Sequence, residues 1–331
     1  MSVDSISLVR TSQVRPYLAA KDHIGAPRER FLRQAKLPLH EYDDAEAVFP
    51  ELFLWELADA VARSECIEDL GLLVATHTPL WQSEPELTCL LQSLPTLWIA
   101  LTKFCHVTRQ IASIDQFGVV REGNYALLQR PQHSGIPGEA QAELYLLKVM
   151  IQLVQLAGGR NWMPPEVRVS EVKSRCLSLS KEFERVRIRR SDSLTCAVIP
   201  AAMLAWSMPA QARLCALPLP NPLADSFLES LSVVIGTYLK DGNMNIQLAA
   251  EMAGLSKRTF QRRLSDLQLD YNTLIDQVRL KQALSMLANR DVPLTEIAFD
   301  LGYSAPAHFT RAFRRWTALS PREYRRQQQV A

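Results

Sequence analysis

Apolar residues fall three and four positions apart through most of the first 110 residues, the spacing of helices that bury one face. It predicts helices over 12–22, 27–34, 44–63 and 67–76. A longer buried helix is expected over 94–111, with Leu97, Trp98, Leu101, Phe104 and Cys105 inward. The period then changes. Residues 114–120 and 125–130 read as strands on either side of Glu122-Gly123-Asn124, a hairpin turn. Residues 138–156 return to helix; Lys148 and Gln152 interrupt their apolar run and Gly158-Gly159 end it. No apolar run reaches the ~20 residues of a bilayer span. Short strands are expected over 167–170, 183–188 and 194–199. The front of the chain therefore reads as an α+β domain, mostly helical, with one small mixed sheet covered by helices.

Leu217-Pro218-Leu219-Pro220-Asn221-Pro222 interrupts this pattern. Three prolines in five residues stop a helix and make a short, stiff connector. The expected organisation is a first domain over 1–216, a linker over 217–222 and a second domain over 223–331. Past the linker, Phe227, Leu228, Leu231, Val234, Ile235 and Tyr238 form a helical stripe that ends at Asp241-Gly242-Asn243.

The second domain contains one phrase twice. Ile246-Gln247-Leu248-Ala249-Ala250-Glu251-Met252-Ala253-Gly254-Leu255-Ser256 is echoed by Leu294-Thr295-Glu296-Ile297-Ala298-Phe299-Asp300-Leu301-Gly302-Tyr303-Ser304. Each has a short apolar helix, an Ala four residues before a Gly, an aromatic or apolar residue and a Ser. This is a helix-turn-helix pattern: the Ala lets two helices cross closely, the Gly takes a left-handed turn, and the Ser caps the next helix. The following helices are expected over about 257–266 and 305–316. Phe260 and Leu264 face inward in the first, Phe309 and Phe313 in the second, and Pro306 sits in a first turn where its missing N–H costs little. Lys257, Arg258, Gln261 and Arg262 then face outward, as do His308, Arg311, Arg314 and Arg315. No acid lies between Gly254 and Ser265 or between Leu301 and Arg322. One Arg-rich amphipathic helix is usually a solvated face. Two copies about 48 residues apart, joined by a helix-forming stretch over 271–289, point to DNA.

Residues 225–326 resemble the DNA-binding domain of the AraC/XylS transcription regulators. The resemblance is carried by Ile297-Ala298, Gly302-Tyr303, Phe309, Arg311, Phe313, Ser320-Pro321 and Tyr324-Arg325, with Arg279, Ala283 and Leu287 matching the linker helix. It implies an all-α domain with two helix-turn-helix motifs joined by that helix. Gln268 and Ala318 stand where the family usually has Gly after a recognition helix. The resemblance sets Arg258, Gln261 and Arg262 against bases in one major groove, and Ala307, His308 and Arg311 in the next. Lys257, Arg263, Arg314 and Arg315 read as phosphate clamps, and Ser256, Thr259, Ser304 and Thr310 complete the DNA-facing set. For Arg311 a rival role stands open, a brace through an acid such as Asp300. The front region resembles a sensor domain that often precedes this module, through Tyr17-Leu18, Leu70-Gly71-Leu72-Leu73 and Glu166-Val167-Arg168. It is more helical than the β-rich cupin sensor of the family's namesake, so no sugar ligand is carried over.

Charge changes this picture little. The net charge is +2; residues 221–331 hold 14 Lys and Arg against 11 Asp and Glu, and the basic character is local to the two helices and the tail Arg322, Arg325 and Arg326. Six cysteines stand at 66, 89, 105, 176, 196 and 215, none in CxxC spacing. They read as reduced, buried cytosolic thiols, with a redox sensor as the alternative. No GxSxG, phosphate-binding Gly loop, HExxH or ligand cluster appears, so no catalytic residue, metal or cofactor is expected. His77, Arg160, Trp55, Trp81, Trp98 and Trp162 are pocket candidates whose plainer roles are loop, surface and core. The expected protein is a cytoplasmic transcription regulator that binds promoter DNA, with RNA polymerase, a small-molecule effector and a second copy of itself as partners, and no membrane. A DNA-tethered enzyme and a ligand-independent activator are the alternatives.

Overall fold

The computed structural model describes residues 5–24, 28–39, 42, 44, 46–112, 116–133, 138–209, 223–224, 226–242 and 244–327. They gather into two compact units: Ser7–Leu37 with Tyr42–Leu223, and Ala224–Ala331 with the short stretches Met1–Ile6 and Pro38–Glu41. The expected linker, 217–222, lies outside the described residues.

The first unit begins with β1 (Leu8–Arg10), α1 (Thr11–Ile24) and α2 (Arg28–Gln34). β2 (Val48–Pro50) pairs antiparallel with β1 and runs straight into α3 (Glu51–Ser64). The single helix expected over 44–63 is thus a strand followed by a helix. Pro50 divides them: at φ −60° and ψ 123° it is extended, and it stands at the N-cap of α3. Next come α4 (Leu70–His77), α5 (Leu80–Ser83), α6 (Pro85–Gln92) and α7 (Leu97–Val107), which passes into a 3-10 turn at Thr108–Gln110. In α7, Leu97, Leu101 and Phe104 are buried as expected, but Trp98 is 38% exposed. Adjacent helix positions point about 100° apart, and with Leu97, Leu101 and Phe104 on the buried face Trp98 lies at its margin. The hairpin forms about the expected turn, from β3 (Gly118–Glu122) and β4 (Tyr125–Pro131), with Gly123 at φ +60°; its first strand starts at Gly118 rather than 114, and residues 114–115 of the expected strand lie outside the described residues.

α8 (Glu139–Gly158) is buried on all sides from Gln141 to Leu156. Its polar residues serve its neighbours. The Gln152 amide oxygen accepts from Leu80 N–H at 2.9 Å and its nitrogen donates to Ala75 C=O at 2.7 Å. Gln141 does the same for Gly71 N–H and Glu68 C=O, both at 3.1 Å. Gln152, which interrupts the apolar run, and Gln141 near the start of the helix therefore satisfy backbone groups at the ends of α4 and α5 that burial would otherwise orphan. A Cβ at Gly71 would lie 2.1 Å from the Gln141 carbonyl, so this glycine sets how closely α4 approaches α8.

The remaining elements are β5 (Glu166–Val169), α9 (Glu171–Leu179), β6 (Arg187–Arg190) and β7 (Leu194–Pro200). The five-stranded sheet has order β3-β4-β7-β5-β6 and is mixed, with β5 and β6 parallel. The strand expected over 183–188 is displaced: Lys181–Phe183 forms a 3-10 turn and the strand starts at Arg187. Buried Glu143 of α8 ties the sheet to the helix layer by accepting from Thr195 Oγ1, Gln132 Nε2, Ser170 N–H and Ser170 Oγ. The cysteines are not uniformly buried thiols. Cys66 is exposed and Cys89 is disulfide-bonded, while burial pushes the buried Cys196 thiol up to about 12. Arg160 lies over the ring of Trp81 at 5.0 Å.

The second unit contains α10 (Phe227–Tyr238), α11 (Ile246–Met252), α12 (Lys257–Asp266), α13 (Tyr271–Ala288), α14 (Leu294–Asp300), α15 (Pro306–Thr317) and α16 (Pro321–Gln327). Side chains mark several starts. Ser226, Asn245 and Asp270 accept from backbone N–H groups of α10, α11 and α13, and Ser320 and Glu323 form a reciprocal capping box on α16. Two stretches from the chain's start belong to this unit. Ile6 N–H donates to the buried Ser230 Oγ at 3.0 Å, and Leu39 N–H donates to Asp241 Oδ2 at 3.1 Å.

Candidate nucleic-acid interface

Both repeated phrases fold as paired helices around a left-handed turn. Ala249, Ala250 and Ala298 are fully buried at the crossings. Gly254 stands at φ +63° and Gly302 at φ +75°. Gly302 is constrained twice, because a Cβ there would lie 2.3 Å from the Leu239 carbonyl. Gln268 and Ala318 also stand at positive φ, +56° and +63°. The turns after α12 and α15 thus keep the left-handed backbone that glycine would take without strain.

In α12, Ser256 is the N-cap: its Oγ accepts from Thr259 N–H at 3.2 Å and lies 2.9 Å from Thr259 Oγ1. Phe260 and Leu264 are buried, Phe260 edge-on to Phe227 at 6.2 Å. That packing turns Lys257, Arg258, Gln261 and Arg262 into solvent together with Ser256. Thr259 and Arg263 are partly buried. The Arg263 guanidinium sits 4.0 Å above the Phe227 ring, on α10, so this candidate phosphate clamp also packs within the unit.

In α15, Pro306 occupies the first turn as expected, but the cap is Ala305, and no side chain accepts there. Ser304 falls one residue too early to cap the helix. Phe309 and Phe313 are buried in a chain of ring contacts running from Tyr303, tilted against Phe309, to Tyr324, edge-on to Phe313. Ala307, His308, Arg311, Arg314 and Arg315 are exposed, and Thr310 turns its hydroxyl back to the Pro306 carbonyl at 3.1 Å. Arg315 pairs with Asp276 of α13 at 2.6 Å. Asp300, the acid weighed as a brace for Arg311, is held instead by Lys240 at 3.3 Å.

The residue that locks the second motif onto α13 is Arg279. Its Nε donates to Leu301 C=O at 3.1 Å, and its guanidinium lies 4.5 Å above the Tyr303 ring. Burial raises the Tyr303 phenol above its ordinary range, and the Arg279 charge partly offsets this. Arg325, read from the sequence as tail charge, donates to Val292 C=O at 2.9 Å and fastens the loop after α13. The sequence offers no periodicity for such side-chain-to-carbonyl contacts. Arg279 was visible only as a match to the family's linker helix.

Two family descriptions match the chain. A helix-turn-helix domain matches residues 249–327, which covers α12 to α16 and most of α11. The arabinose-binding domain of AraC transcription regulators matches residues 25–208, more than half of the chain. The chain belongs to the AraC family of transcription regulators. The regulator is 25% identical to the HTH-type transcriptional regulator VirS of Mycobacterium tuberculosis over 345 aligned positions, 96% of each chain. It is 36% identical to VqsM of Pseudomonas aeruginosa over 87 residues, and the match spans 26% of this chain and 27% of that one. Against the Pseudomonas aeruginosa ornithine utilization regulator the match is 40% over 81 residues and about a quarter of either chain. A structural comparison pairs it with the transcriptional regulator CdpR from Pseudomonas aeruginosa at 20% identity, covering 90% of this chain and 96% of that one, with a TM-score of 0.38. No described helix is long and apolar enough to cross a membrane.

Proposed function

We propose that the regulator reads promoter DNA with Arg258, Gln261 and Arg262 of α12 in one major groove and with Ala307, His308 and Arg311 of α15 in the next. The observation that carries this reading is the sorting of the two helices. Each buries an aromatic pair or an aromatic–leucine pair and leaves a continuous, acid-free row exposed. Arginine suits the guanine edge and glutamine the adenine edge, each with about 1–3 kcal/mol of discrimination. Lys257, Arg314 and Arg315 hold phosphates. Arg263 divides its role between a phosphate and the Phe227 ring. Ser256, Thr259, Ser304 and Thr310 flank the contact faces.

A straight 18-residue α13 is about 27 Å long, which suits two motifs set roughly one turn of duplex apart. The reading further assigns residues 1–216 to effector sensing and self-association, residues 217–222 to the connector, and an effect on RNA polymerase as the output. Footprinting of the full-length protein on the DNA flanking its own coding region tests it. Two protected major-groove segments on one face of the duplex are expected. Protection unchanged by alanine at both Arg262 and Arg311 overturns the assignment.

A further inference from the structure

Inside the first unit, α1, α5, α6, α7 and α8 meet around a cavity. Counting the open solvent beside it, the empty space is about 400 Å³, and the volume comparable to a cavity is about 30 Å³, the room of roughly one water. Its wall is chiefly apolar, with Leu87, Phe104, Phe117 and Tyr145 facing inward. Its polar corner is Gln13 and Glu84, joined by a 2.6 Å hydrogen bond from Gln13 Nε2 to Glu84 Oε1. Among the described residues that line the space, Glu84 is the one acidic or basic side chain. Two of the hydroxyls there have their protons committed: Thr108 donates to Phe104 C=O at 3.0 Å and Ser83 to Pro79 C=O at 3.4 Å.

The charges around Glu84 leave its carboxyl poorly served. Burial raises it above the ordinary carboxylate range; Ser12 and Gln13 lower it by hydrogen bonding, Glu86 raises it and Arg10 lowers it from a distance. Arg10 is itself held by Glu46 at 3.1 Å and by the Gln110 carbonyl at 3.0 Å. A carboxyl in an apolar space gains most from a cation that enters with the ligand. A carboxylate ligand would set a second anion beside it. A polyol would need several free donors and acceptors, and beside the Gln13 amide and the Glu84 carboxyl the described wall offers three hydroxyls, two with their protons committed.

We propose that this cavity is the effector site and that its ligand is a small primary amine with a short apolar body, the ammonium pairing with Glu84 and the hydrocarbon lying against Leu87, Phe104, Phe117 and Tyr145. This rests on the reading that the first unit senses a small molecule. A body larger than one water extends toward the mouth. Pairing an ammonium with a protonated carboxyl releases that proton to solvent, so affinity rises with pH until Glu84 is ionised in the free protein.

The test uses the full-length protein with isoamylamine, isoamyl alcohol and isovalerate, three molecules of one body and three head groups. Isoamylamine at millimolar concentration raises the melting temperature by several degrees, and the alcohol and the acid do not. Calorimetry in two buffers of different ionisation enthalpy, run as a pH series, shows a proton released at low pH and a release that falls away as Glu84 becomes ionised in the free protein. Glu84→Gln loses the response. Leu87→Trp, which fills the space and keeps the carboxyl, loses it as well, so a misfolded Glu84 variant does not decide the matter alone. An equal response to isovalerate, an unchanged response in both variants, or no response to the amine overturns the site. Promoter affinity is measured in parallel. Binding of the amine without a change in DNA affinity keeps the site and rejects the sensing role, whereas a ligand that alters DNA affinity equally in Glu84→Gln keeps the sensing role and rejects the site.

Discussion

Gln268 and Ala318 follow the two recognition helices at φ +56° and +63°, where an L-residue pays for its Cβ. Ala318→Gly relieves that strain and is expected to stabilise the protein by about 0.5–1 kcal/mol, the strain of roughly 1–2 kcal/mol less glycine's added entropy cost. Gly302→Ala goes the other way. It combines φ +75° with a Cβ 2.3 Å from the Leu239 carbonyl, and an expected loss above about 2 kcal/mol shows in chemical denaturation. If Ala318→Gly destabilises and Gly302→Ala is silent, the turn geometry described above is wrong. Arg262 and Arg263 are neighbours with different surroundings. Arg263 sits over the Phe227 ring, so Arg263→Ala lowers stability by about 0.5–1 kcal/mol, whereas Arg262→Ala leaves the melting temperature unchanged.

Among elements, α12 and α15 share a design, but the two arginines chosen as probes differ in position. Arg262 is exposed one turn after Arg258. Arg262→Ala is expected to cost about 1–3 kcal/mol on the cognate site and to blur preference at one base position. Arg315 lies late in α15 and pairs with Asp276, an exposed pair worth at most about 1 kcal/mol that a phosphate can replace. Arg315→Ala therefore weakens cognate and scrambled duplexes alike and lowers the salt slope by about one unit. A salt series on both duplexes separates the two roles. Equal losses for Arg262→Ala on both duplexes show that the register drawn for α12 is wrong. The linker helix contributes differently: Arg279→Ala removes the bond to Leu301 C=O and the stacking on Tyr303, and weakens binding through the second motif without touching DNA.

For the whole molecule, both basic helices lie in the unit that begins at Ala224, so a fragment of residues 223–331 is expected to bind promoter DNA alone, more weakly than the full chain. That unit also takes in Ile6, whose N–H donates to the buried Ser230 Oγ. Ser230→Ala in the full chain leaves that N–H unsatisfied and costs about 1–3 kcal/mol, while in the fragment the same change costs far less. On the proposed reading, self-association through residues 1–216 would link two DNA-binding units and raise affinity by effective concentration. Sedimentation of the full chain at tens of micromolar is expected to show a dimer, and a monomer with and without DNA rejects it.

The helix-turn-helix pair was legible in the chain because its requirements are local and doubled. An Ala at the crossing, a Gly in the left-handed turn and an inward pair four residues apart each leave a mark in sequence, and Gly254, Gly302, Phe260 and Phe313 stand where those marks place them. The hairpin at Gly123 was legible for the same reason. Contacts between residues distant in sequence were not. Nothing local says that Gln141 and Gln152 would satisfy the ends of α4 and α5, that Val48–Pro50 would leave a helical pattern to pair with Leu8–Arg10, or that Trp98 would turn outward. Those outcomes depend on which surface each element meets. A buried amide group must find a partner wherever the fold brings one, and periodicity records only which face is apolar. The sequence by itself determined the DNA-binding helices and their exposed rows. Only the tertiary structure decided that Arg279 and Arg325 fasten the motifs, and that Gln13 and Glu84 meet in one cavity.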